Sequence, residues 1–439
     1  MRLVFILLKK EIKDIFFSKT AVLFFILTSF VIGNSFVMAV DLYSKASKTA
    51  IGNPLYASGF EPTPGIFIPT FGGLFLLFSL FLPFVTIPLI SNERKNGTLS
   101  VLTQLPFRFG TILITKTIAS VMFVFFVLSL TIPSFVVWKF YGGHIAYGES
   151  FTLLLGYLLY GLVIVAISFC FATLFENTAN AAILTIAMVV FSWVVDFAKS
   201  ANTSAIALFL SEYTFTKTLK SFESGILSLR SSLFFIFVSI FFLGLGYIFL
   251  RFDLKHKWKY LFIIFAASVI PFLYFPKIVF NIDVTESHRN SFSPAVVKGL
   301  KQIPPLVIKV YLTPNDSRFK DYEHDFLKKL RLVKTDIKLE MVNDDTLNKN
   351  YGLFQYSLNG KIGSTYSNSE EEIFPIIFGL SGINIPNSKG NMFKGYPLVV
   401  DRKKLFTAHY LYYLIIPLIF ILITVVRNFN LRRLKNETF

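Results

Sequence analysis

Five histidines, His144, His256, His288, His324 and His409, are spread along the chain. None stands at metal-ligand spacing from another histidine, a cysteine or a carboxylate cluster, so surface or interfacial positions are expected for them. The single cysteine, Cys170, lies inside an apolar run, which leaves no disulfide framework and no cysteine-built metal site within one chain. The sequence has no G-x-x-x-x-G-K-S/T phosphate loop and no G-x-S-x-G nucleophile signature. No catalytic, cofactor-binding or metal-binding residue is assigned. The chain is not expected to be an enzyme, and any ATP hydrolysis would belong to another subunit. Ion-coupled carriers need ionisable groups inside their membrane spans. Here the apolar runs hold almost none: Asp196 with Lys199 at the outer end of one, and Lys116 near the inner end of another. Those positions favour snorkelling or a local ion pair over a proton relay.

The residues whose spacing could transmit force are in Ser91–Phe107, SNERKNGTLSVLTQLPF. Glu93, Arg94 and Lys95 follow an apolar run. Asn96-Gly97 permits a sharp reversal. Thr98 can cap a short helix, Leu99, Leu102 and Leu105 make one apolar edge, and Pro106 limits it. A short amphipathic helix held at the membrane face would serve as a docking knob for a cytoplasmic partner, or as an ordinary interfacial connector.

The elements that must position this segment follow from composition. Only 16% of the 439 residues are charged and 54% are hydrophobic, against about 25% charged in soluble domains. A wholly soluble protein is excluded, and aromatics at 17% exclude a disordered one. The net charge of +17 fits basic flanks of membrane spans better than a nucleic-acid surface. Runs long enough to cross a bilayer, about 20 apolar residues, are Thr20–Val40, Ile66–Ile90, Thr111–Trp138, Phe151–Leu174, Asn180–Ala198, Ser232–Leu250, Trp258–Pro276 and His409–Val426. The fifth could instead be half of a re-entrant hairpin with the fourth. Backbone pairing in lipid makes these helices. The expected fold is thus an α-helical polytopic membrane protein with about eight transmembrane helices.

Lysine and arginine near short loops orient it. Lys9, Lys10, Lys13 and Lys19, then Arg94 and Lys95, then Arg251, Lys255, Lys257 and Lys259, then Arg427, Arg432, Arg433 and Lys435 fall on one side, the cytoplasm, with both termini. The 199–231 loop, with Lys199, Lys217, Lys220 and Arg230, dissents. Residues 1–19 are not expected to be a cleaved signal peptide, because no small-residue cleavage site follows the short apolar core. Leu3, Ile6, Leu7, Ile12 and Phe16 at helical spacing predict a helix lying in the inner interface.

The insert 277–408 reads as a small extracytoplasmic α/β domain between the last two spans. Val307–Leu312 has strand composition. Phe319, Tyr322, Phe326, Leu330 and Val333 mark one helix face, and Ile337, Leu339 and Met341 alternate as in a half-buried strand, giving a βαβ-type unit. Tyr351–Lys361 is a further strand candidate and Glu370–Gly379 a further helix. Asn387–Gly395 is a loop.

SNERKNGTLSVLTQLPF, followed by Lys116, resembles the E-x-x-x-G-T-L motif of ABC-2-type permeases. KKEIKDIFFSKTAVLFF, with Lys10 and Glu11, resembles that family's opening interfacial helix. LKSFESGILSLRSSLFFIFVSIFFL, with Phe222, Gly225 and Leu229, resembles its segment before the sixth span. NIDVTESHRNSFSPAVVKGLKQIPPLVIKVYL and FKGYPLVVDRKKL resemble the auxiliary subunit of gliding-motility-type ABC transporters, on Asp283, Thr285, Ser291, Ser293 and Pro294. The resemblance implies a permease over 1–251 and a linker with the seventh span over 252–276. An auxiliary domain over 277–408 and a last span with a basic tail over 409–439 follow. It implies that Glu93, Gly97, Thr98, Leu99 and Leu102 couple the permease to a cytoplasmic ABC ATPase subunit. A second permease half and membrane lipid are the other expected partners, with no nucleic acid and no cofactor. The place implied is the bacterial cytoplasmic (inner) membrane, and the function is ATP-driven export. Two further readings stand beside it: a non-transporting scaffold for an envelope or motility complex, and an energy-independent lipid translocator. An ATPase recovered with the protein discriminates among them.

Overall fold

The computed structural model describes all residues except 1, 53, 58, 100–108, 202–209, 252–253, 276–277, 279, 314–315, 343–349, 384–393 and 438–439. The fold is mostly helical. Among the described residues seven helices are long and apolar enough to cross a membrane: Lys19–Ala50, Thr63–Leu80, Phe109–Phe140, Tyr147–Leu174, Thr178–Asp196, Leu229–Leu250 and Arg402–Arg427. They mark a multi-pass membrane protein. The eighth expected segment forms the helix Lys257–Tyr274, which carries Pro271 inside it and is not among the seven. Its flank is strongly exposed, Trp258 and Phe262 most of all.

The opening helix, Arg2–Phe16, is a separate element, as its spacing predicts. It ends where the Ser18 hydroxyl accepts from the Ala21 amide at 3.0 Å and so caps the helix Lys19–Ala50. The long apolar helices pack through small residues that let backbones approach. A Cβ on Gly161 would fall 2.5 Å from Val124, and one on Gly246 would fall 3.4 Å from the Cys170 backbone. A Cβ on Gly33 would overlap Tyr412, whose hydroxyl meets Ser134 at 2.6 Å. Tyr412 sits in a π-helical turn, Leu411–Ile415, where the widened backbone lets its ring enter the core. The last long helix is therefore fixed to the first and third.

The chain divides into two compact units, residues 1–282 with 394–439, and residues 283–393. The 394–401 stretch thus belongs with the helices, inside the expected 277–408 domain limits. It is a strap on the far end of Lys19–Ala50. Tyr396 N–H donates to Phe60 O at 2.7 Å, and Tyr43 Oη donates to Tyr396 O at 2.8 Å. Leu398 N–H donates to Ser47 Oγ at 3.0 Å, and Val400 N–H to Ser44 Oγ at 2.9 Å. The imidazole of His144 stacks on Tyr396 at 3.8 Å. These polar partners satisfy an extended backbone that no sheet pairs. Asp401 then caps the helix Arg402–Tyr410 through the Lys403 amide.

The second unit is a four-stranded sheet with helices. Leu306–Val310 pairs in parallel with Ile337–Met341, and the helical segments between Ser317 and Val333 make the crossover. This is the expected βαβ unit. Leu306–Val310 also pairs antiparallel with Phe354–Leu358, which turns back into Lys361–Thr365. The turn is Asn359-Gly360, both at positive φ, so the single strand expected at 351–361 is a hairpin. Helix Glu370–Ser381 buries Ile373, Phe374, Ile377 and Phe378 in a core with Phe292, Tyr322 and Phe326. At the start of this unit the Asp283 carboxylate gathers Thr285 N–H at 3.0 Å, Thr285 Oγ1 at 2.6 Å, Asn290 N–H at 3.1 Å and Ser291 Oγ at 2.7 Å. Ser293 caps the next helix, with Pro294 in its first turn. Burial opposes the Asp283 charge, but the donors from Thr285, Ser291 and Asn290 outweigh it and hold the carboxyl below its usual range. Much of the Asn387–Gly395 loop lies outside the described residues.

Candidate functional site

One end of the helical unit holds a closed ring of alternating charges. Lys116, in the helix Phe109–Ser129, is buried, with its side chain 1% exposed. Its ammonium donates to Glu11 Oε2 at 2.8 Å and to the Leu89 carbonyl at 2.9 Å, and lies 2.8 Å from Glu93 Oε2. Lys10 closes the ring: it donates to Glu93 Oε1 and to Glu11 Oε1, the latter at 3.2 Å. Glu11 is 1% and Glu93 13% exposed, whereas Lys10 is 44% exposed and also reaches Asp14 at 3.6 Å. Each carboxylate bridges both ammonium groups, so the charges balance. That balance is what a buried site requires, since an unpartnered ion there costs several kcal/mol. Burial works against the charge on Lys10, but the Glu93 hydrogen bond and the charges of Glu11 and Glu93 overcome it and hold the ammonium above its ordinary range.

Local sequence explains how these groups meet. Lys10 and Glu11 sit on the opening helix, whose Leu7 and Ile15 are buried. Glu93 sits in the helix Pro88–Lys95, which stops at Asn96. Gly97 has φ +70, a left-handed value that a glycine adopts freely, and its amide returns to Arg94 O at 3.3 Å. Thr98 donates its hydroxyl back to Glu93 O at 3.1 Å; the amides it is expected to cap lie outside the described residues. Leu99 is buried in the main core. Leu102, with Leu105 and Pro106, lies outside the described residues.

Arg94 adds a contact that its charge alone did not reveal. It donates to Thr173 O at 3.0 Å and to Glu176 at 3.3 Å, capping the last turn of Tyr147–Leu174. The turn after the second long helix thereby touches the opening helix, the third long helix and the end of the fourth. The ring was legible as types, because Lys10, Glu11, Glu93 and Lys116 each stood out, but its closure needed three distant segments to meet.

Phe222 and Gly225 are elsewhere. Phe222 is fully buried in a notch where a Cβ on Gly156 would come 2.5 Å from it. Gly225, at φ +80, ends the helix Phe215–Glu223. Gly156 and Thr173 are separated by about 26 Å of helix rise, so this segment lies toward the far end from the ring. There the Tyr157 hydroxyl donates to Glu223 at 2.9 Å, and burial pushes the Glu223 carboxyl up. This buried acid gave no signal in the sequence, because it ends a short polar helix. Asp196 pairs with Lys220 at 3.5 Å; the side chain of Lys199 lies outside the described residues.

Compared with known proteins, the chain matches no family model and no curated protein.

Proposed function

We propose that this chain is the membrane-spanning permease subunit of an ATP-driven ABC-2-type exporter in the bacterial cytoplasmic membrane. A separate cytoplasmic ATPase subunit supplies the energy, and a second permease half completes the path. The charge ring carries this reading. It welds the turn at Glu93–Leu99 to the opening helix and to Phe109–Ser129. A force applied to that turn cannot be absorbed locally, because separating buried ion partners costs about 3–5 kcal/mol. It passes instead to three long helices, whose rocking opens the route outward.

The orientation is supported by which ends meet. Arg427 donates to Phe17 O at 2.9 Å, so the last long helix ends where the first begins. Gly110 lies beside Tyr247, bringing the end of Leu229–Leu250 to the same level. The basic residues Lys9, Lys13, Lys19, Arg94, Lys95 and Arg427 therefore share one face, the cytoplasmic one by the positive-inside rule. The Lys257–Tyr274 helix supplies the eighth crossing. It runs antiparallel along Leu229–Leu250, with Ile264 3.4 Å from the Cβ position of Gly244 and Phe275 packed on Phe234 and Phe237. Both termini are then cytoplasmic, and the 283–393 unit is extracytoplasmic.

Glu93→Gln and Leu102→Ala test the proposal through recovery of the ATPase with the purified chain and through ATP turnover. Lower recovery from Leu102→Ala, and turnover uncoupled from cargo in Glu93→Gln, are expected. Unchanged recovery and turnover in both would remove the turn from any coupling role.

A further inference from the structure

A second feature lies on the other flank of the opening helix from the ring. Ile12, Phe16 and Phe17 form one wall of a groove of about 590 Å³, with Met122 and Phe125 opposite and Leu158 also lining it. Lys10 and Asp14 face Glu93; Ile12 and Phe16, roughly half a turn round the helix, face the groove. Every lining side chain is apolar, so the groove suits a hydrocarbon chain and rejects a polar ligand. It is concave, unlike the exposed apolar flank of the last long helix at Leu418 and Leu422.

Its edge is cationic. The Arg427 guanidinium lies 4.6 Å over the Phe17 ring. Lys13 is exposed, next to Ile12 and one turn before Phe17, and Lys9 is exposed one turn before Lys13. The acid closest in sequence, Asp14, is drawn to Lys10 on the ring side. Apolar walls under a basic rim at one membrane surface fit a single occupant chemistry. We infer that the groove holds an acyl chain of an anionic phospholipid, with the lipid phosphate against Arg427 and Lys13. This inference needs only that the chain sits in a membrane, and it stands or falls apart from any ATPase. A lipid there packs the opening helix against Phe109–Ser129, beside the buried ring.

The test uses the full chain in phosphatidylcholine nanodiscs carrying a trace of phosphatidylglycerol with a photoreactive acyl chain. Labelled peptides are mapped by mass spectrometry. Label is expected to concentrate on residues 12–17 and 121–126 rather than on 414–426. Unlabelled phosphatidylglycerol should displace it at a concentration roughly fivefold or more below that of phosphatidylcholine, the preference that one to two basic residues give. Met122→Trp, which fills the groove, should remove label from those two peptides and leave 414–426 unchanged. Lys13→Gln with Arg427→Gln should abolish the headgroup preference. Equal labelling of 414–426 would overturn the site. Equal displacement by both lipids would overturn its anionic occupant. The labelling map and the competition, both on the unmodified chain, decide these two points even if a variant does not fold.

Discussion

Lys116 and Lys10 hold the same two carboxylates, yet they should respond differently to substitution. Lys116 is sealed from water and has no other way to be solvated. Lys116→Met leaves Glu11 and Glu93 buried with one counter-ion, and the expected loss is about 3–5 kcal/mol. Lys10 is nearly half exposed, so water replaces part of what Lys10→Met removes, and about 1 kcal/mol or less is expected. Reversible unfolding of the two variants in detergent micelles checks the difference. Similar losses would mean that the ring does not depend on burial. The same contrast explains why a lysine inside an apolar run signals a partner: the charge survives there only because Glu11 and Glu93 arrive from elsewhere in the chain.

At the scale of elements, polar residues that look like loop composition prove to be fasteners. The run from Asp283 to Pro294 ties a loop around one carboxylate and then starts a helix. Its folded acidity is stronger than that of an unfolded aspartate, near 3.9. The stabilising contribution is therefore full above about pH 4 and is lost as pH falls through the lower folded value. Backbone hydrogen exchange over 283–300 in the full chain should quicken as pH falls through that window, beyond the intrinsic pH trend. Asp283→Asn should exchange faster at pH 6 and lose the acid sensitivity. An acid response that persists in Asp283→Asn would place the titrating group elsewhere. The 394–401 strap works by a related device, since serine and tyrosine side chains on or near the first long helix stand in for a missing strand partner.

For the whole molecule, the decisive question is which ends share a surface. With Cys170 replaced by alanine, His256→Cys and Lys298→Cys bracket the Lys257–Tyr274 helix at exposed positions. A membrane-impermeant maleimide should label Lys298→Cys in intact cells and His256→Cys only after permeabilisation. The same response from both would mean that this helix does not cross. Apolar run length and residue periodicity determined, from the sequence alone, a multi-pass helical membrane protein with a βαβ-containing insert, because the bilayer and the strand and helix periodicities constrain residues that are near neighbours in the chain. The ring of Lys10, Glu11, Glu93 and Lys116, the cap of Arg94 on Thr173 and the seating of Tyr412 at Gly33 were decided only by the tertiary structure. Arg94 and Thr173 are 79 residues apart, Glu11 and Lys116 are 105 apart, and Tyr412 comes from the far end of the chain from Gly33; no local pattern records which distant partner will cancel a buried charge or fill a notch.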